Sequence, residues 1–126
     1  MNTALWIAAG LLALIFLAAG GMKLSQPKEA LKAKGMHWVD GVSPAMVKTL
    51  GALEVAGAIG LILPPLLGVA TVLVPLAAVG LAITMIGAIL IHARDKEFPQ
   101  VAVTVLIFAL AVFVAVERFG SHAFGS

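Results

Sequence analysis

Residues 51–65 read GALEVAGAIGLILPP: small and branched apolar side chains, one carboxylate at Glu54, and a pair of prolines at the end. The stretch overlaps an uncharged run from Val55 to Ile91, too long for one membrane span and long enough for two. Pro64 and Pro65 divide that run, because proline lacks the amide proton and its ring clashes with the carbonyl four residues back. Upstream, Ser43 offers an N-cap oxygen and Pro44 the preset φ of a first helical residue. Spans are therefore predicted over about 44–63 and 66–92. Two further apolar runs, Ala4–Met22 and Phe98–Val116, predict spans over about 3–23 and 98–117.

Composition agrees with that pattern. Of 126 residues, 62% are hydrophobic and only 11% charged, and mean hydropathy is +1.13. A soluble globule needs about a quarter charged residues to cover itself, so the bilayer is the solvent for most of this chain. The expected architecture is all-α: a single transmembrane domain over 1–126, an integral membrane four-helix bundle. Cysteine is absent, which removes disulfides, thiolate nucleophiles, iron–sulfur ligation and covalent haem attachment. MNTALW lacks a basic n-region, so the first run reads as a retained span rather than a cleaved leader.

The charge distribution orients the bundle. Lys23, Lys28, Lys32, Lys34 and Lys48 lie at or near the first loop, Arg94 and Lys96 in the third, and only Arg118 on the opposite side. The positive-inside rule then places loops 24–43 and 93–97 in the cytoplasm and both termini outside, in a cell (inner) membrane. Trp6 and Trp38 suit aromatic belts at the two boundaries. The +2 net charge is spent on lipid headgroups and topology rather than nucleic acid. Within the first loop, Pro27, Glu29 and Gly35 frame a short interfacial helix between spans 1 and 2, with a solvated connector as the alternative.

Glu54 is the residue that needs explaining. It lies about ten residues from either end of its span, roughly 15 Å deep, where a bare charge costs about 3 kcal/mol. It therefore calls for a partner or a proton. Lys23 ends span 1 and His92 ends span 3 on the same side, and helical side chains lean toward the helix N-terminus, so both lean inward. An axial offset of about 10 Å separates Lys23 from Glu54, which asks for tilt or a bridging water. Pro75, which frees the Thr71 carbonyl, is a second candidate partner for a protonated Glu54. Gly20, Gly51 and Gly57, and the stripe Gly80, Thr84, Ala88, read as close helix-packing surfaces. Met22, Met36, Met46 and Met85 are soft packing residues, Glu117 and Arg118 outer-surface anchors, and His37 and His122 solvated. No metal-ligand spacing, phosphate loop or nucleophile elbow occurs.

Three segments, AAGGMKL (18–24), LGALEVAGAIGLIL (50–63) and MIGAILIHARDKE (85–97), resemble the DoxX-like family of small four-span bacterial membrane proteins. The family's Gly-x-x-Lys, Gly-x-x-Glu and Ala-x-x-x-His positions fall on Gly20 and Lys23, Gly51 and Glu54, Ala88 and His92. The resemblance implies an integral membrane protein, and some relatives belong to quinone-coupled oxidoreductase assemblies, including a thiosulfate:quinone oxidoreductase. Three functions follow as expectations. One is an accessory or quinone/lipid-binding subunit of a membrane oxidoreductase, with Lys23, Glu54 and His92 as a polar cluster. Another is an enzyme or carrier for a small lipid-like molecule, with Glu54 as acid/base. The third is a ligand-free structural bundle that binds a partner or a second copy through its Gly/Ala faces. An apolar cavity reaching lipid near Glu54 favours the first; tightly closed helices favour the last.

Overall fold

A computed structural model describes residues 1–35, 37–120, 122 and 123. The roles expected of Met36 and of the His37 and Trp38 side chains lie outside the described residues. Four long helices form, α1 (Asn2–Ser25), α3 (Pro44–Leu67), α4 (Leu73–Arg94) and α5 (Phe98–Phe119), with a short α2 (Lys28–Ala33) and a 3₁₀ turn (His37–Gly41) between the first two. Each long helix is apolar enough and long enough to cross a membrane. They pack as a ring, α1 on α3, α3 on α4, α4 on α5 and α5 back on α1, in up-and-down order. Leu5, Leu12, Phe16, Leu61, Leu81 and Val114 fill its centre, while Ile7, Leu14, Ile83 and Leu106 project outward, as lipid-facing side chains do.

The predicted start of the second span holds: Ser43 Oγ accepts from the Met46 amide at 3.1 Å, with Pro44 in the first turn. Its predicted end does not. Helix α3 runs through Pro64 and Pro65 to Leu67, and stops at Gly68, which takes a left-handed φ of 70°. The prolines lie in the last turn, where only the Gly60 and Leu61 carbonyls lose their amide donors. Gly68 N–H then donates to Pro65 O and Val69 N–H to Pro64 O, the pairing that closes a helix on a C-terminal glycine. The next span consequently begins at Leu73 rather than 66, which puts Pro75 in its first turn.

The first loop is more than a connector. Leu31 of α2 is fully buried against Val39 and Val47, with Met22 and Val42 packed alongside. Its lysines fold the loop as much as they decorate it. Lys28 Nζ donates to Val42 O at 2.6 Å, and Lys48 Nζ reaches back to Leu24 O and Gln26 O at 2.7 and 3.0 Å. Lys48 thereby places a cation at the negative C-terminal end of α1. The apolar side chain of α2 faces protein, so the loop forms a small cap over the α1/α3 end of the bundle.

Candidate functional site

The site begins at two glycines. A Cβ on Gly20 would lie 2.7 Å from Gly51 O and 2.8 Å from Val55 Cγ2; one on Gly51 would lie 2.8 Å from Gly20 O. Only glycine at both positions lets the α1 and α3 backbones come this close. That contact sets the register of the two helices, putting Lys23 beside Gly51, one turn from Glu54. Lys23 Nζ and Glu54 Oε1 are therefore 2.8 Å apart, a direct contact that needs no bridging water. Lys23 is 8% and Glu54 5% exposed, and no buried side-chain nitrogen or oxygen among the described residues lacks a hydrogen-bond partner.

His92 makes a different contact. Its Nδ1 lies 3.0 Å from Glu97 Oε1, both side chains about a quarter exposed. The polar residues singled out in the sequence are thus found as a closed Lys23–Glu54 pair between α1 and α3, and a His92–Glu97 pair at the α4–α5 turn. Glu97, missed in the sequence, carried a signal: it follows His92 by one tight turn. Pro75 does not supply Glu54 with an acceptor, because the Thr71 carbonyl accepts from Val74 N–H at 3.1 Å and Glu54 faces Lys23.

The packing stripes also separate. Gly57 lies against Leu81 of α4, whose Cδ2 would be 2.8 Å from an added Cβ. Gly80 faces outward, with nothing within 4 Å of the same position. Thr84 Oγ1 donates to Leu81 O of its own helix, and Ala88 is half-buried. At the opposite end, Arg118 is buried rather than a surface anchor, its Nη1 donating to His122 O at 3.0 Å. His122 in turn is half-buried with Nδ1 2.7 Å from Glu117 Oε2, not freely solvated. The chain folds back over the end of α5 and covers the guanidinium.

Beyond the glycine contact, α1 and α3 leave a lateral groove of about 740 Å³ between them. Gly10, Leu14 and Leu17 line one side and Ala58, Ile59 and Leu63 the other, so its walls are hydrocarbon. Ala58 stands one turn beyond Glu54 on the same face of α3. The groove opens on the lipid-facing surface and runs about 15 Å along α1, from Leu17 to Ile7. Among the described residues no three His, Asp or Glu side chains converge in a way that could hold a metal.

These features define a class: a small multi-pass membrane protein, a four-helix bundle with an ion pair clamped between its first two spans. The DoxX-like family model matches residues 7–114, and the chain belongs to that family. No curated protein and no solved structure matches it significantly.

Proposed function

We propose that this protein is a non-catalytic membrane subunit that holds the chain of a lipid-like molecule, an isoprenoid quinone or an acyl lipid, in the α1/α3 groove. The observation that carries this reading is the groove itself: apolar walls, an opening to lipid, and a volume in the range of small-molecule sites. A quinone held there serves a membrane oxidoreductase partner, consistent with the family's quinone-coupled relatives. In this reading Lys23 and Glu54 act as the clamp that closes the groove's inner end. Glu54 is engaged by Lys23 at 2.8 Å, which argues against its use as an acid or base. The same clamp and the close Gly20–Gly51 contact favour a second reading, a ligand-free assembly module.

Gly10→Leu separates the two. Nothing lies within 4 Å of a Cβ at Gly10, so leucine fills the groove without a clash and removes a helix-weakening glycine. Native mass spectrometry with lipid extraction of gently solubilised protein is expected to show a quinone or lipid on the wild type that Gly10→Leu loses, with thermal stability kept. Equal retention by both proteins removes the groove as the site and leaves the assembly module.

A further inference from the structure

The α1/α3 groove is shut at one end and open at the other. Beyond Leu17 the backbones meet at Gly20 and Gly51, where an added Cβ finds no room. Lys23 and Glu54 lie past that contact, held to each other at 2.8 Å. The inner end therefore offers hydrocarbon alone, with no donor for a ligand's oxygen. The walls leading out from it, through Leu14, Gly10 and Ile7 on α1 and Leu63 on α3, are hydrocarbon as well. On α1, polarity returns only past the mouth. Thr3 is exposed and stands one turn before Ile7, on the same face of the helix. Helix α1 begins at Asn2, so no helical carbonyl lies one turn behind Thr3 to accept from its hydroxyl. Thr49, Thr84 and Thr104 differ in that respect: each donates to a carbonyl three or four residues back in its own helix. The first turn of α1, next to Trp6, sits at interfacial depth.

We propose that the occupant is one acyl chain of a glycerophospholipid, lying methyl end inward against Leu17, with its ester carbonyl accepting from the Thr3 hydroxyl. This rests on the groove being the ligand site, and it commits that site to an acyl lipid rather than a quinone. A groove that is apolar along about 15 Å and polar only at its mouth matches a hydrocarbon chain ending in an ester. A quinone ring carries two carbonyls on opposite edges, and a buried acceptor left without a donor is costly; the groove walls supply none. The ester of a glycerophospholipid lies at the interface, level with the first turn of α1, so the chain enters from the leaflet on that side.

The test is photolabelling of the full chain in detergent micelles with phosphatidylethanolamine that carries a diazirine at the methyl end of one acyl chain or beside its carboxyl carbon. Peptide mass spectrometry maps the label. The methyl-end probe is expected on Leu14 and Leu17 and the carboxyl-side probe on Ile7 and Leu63, each above the level at the outward-facing Ile83 and Leu106. Gly10→Leu is expected to lose both labels, and Thr3→Val, which keeps the side-chain shape, to weaken them with the melting temperature unchanged. Excess ubiquinone is expected to leave the labels in place. Displacement by ubiquinone, a reversed order of the two probes, or full labelling of Thr3→Val overturns this inference while leaving the groove as a ligand site. Label no richer in the groove than on Ile83 and Leu106, or kept in Gly10→Leu, overturns the groove reading and this inference with it.

Discussion

A carboxylate placed among alanines, valines and glycines has few ways to stay in a membrane, and Glu54 takes one of them by meeting Lys23. The pair is almost wholly enclosed, so removing one partner strands the other charge. Glu54→Gln is expected to cost about 3–5 kcal/mol in unfolding by mixed micelles, and Lys23→Met a similar amount. The double variant, Lys23→Met with Glu54→Leu, is expected to recover most of the loss, since a well-packed apolar pair often replaces a buried ion pair without penalty. Single variants as stable as the wild type would show that the pair clamps nothing. The need for a partner is legible in the sequence, because one acid stands in an apolar run. The direct contact is not legible, because it depends on which turn of α1 meets which turn of α3. That register comes from Gly20 seating on Gly51, a tertiary fit that no helical periodicity encodes. Arg118 is a parallel case. Its position at a span end suggests an anchor, yet the chain turning back at His122 buries it.

Among the elements, glycines that look alike in sequence behave differently according to what faces them. Gly20→Ala drives a Cβ against the Gly51 carbonyl, and backbone cannot step aside; a loss of about 1–3 kcal/mol is expected. Gly57→Ala meets the Leu81 side chain, Cδ2 at 2.8 Å and Cγ at 3.0 Å, rather than backbone, so a smaller loss than for Gly20→Ala is expected. Thermal unfolding of the two variants side by side checks the order, and equal losses would refute the register argument. Helix starts are legible at Ser43-Pro44 because the capping chemistry is local. The end of α3 is hidden by its two prolines, which signal a stop three to four residues before Gly68 makes one. The loop's small core is also obscure in sequence: Leu31, Val39 and Val47 lie on three different elements, α2, the 3₁₀ turn and α3, so no single helical pattern joins them and only folding brings them together. Leu31→Ala is expected to loosen that cap by about 2–3 kcal/mol, seen as faster hydrogen exchange over residues 26–43 with the spans still protected. Faster exchange throughout would mean that cap and bundle unfold as one.

For the molecule as a whole, hydropathy suffices to count the spans, because a bilayer demands about twenty apolar residues per crossing and satisfied backbone throughout. Its orientation can be checked directly, since the chain has no cysteine of its own. Single cysteines at Ser25 and Gly120 are expected to label from opposite sides, the former from the cytoplasm; the reverse pattern would invert the bundle. The cap between α1 and α3 carries a consequence for biogenesis. Lys23, the cap's leucine and valines, and the Lys48 bonds to the end of α1 all belong to the first half of the chain. By the time Glu54 leaves the ribosome, its counter-ion has already been delivered to the membrane on the preceding helix. The first two spans can then enter the lipid as a finished hairpin, and the translocon never has to release a solitary acid.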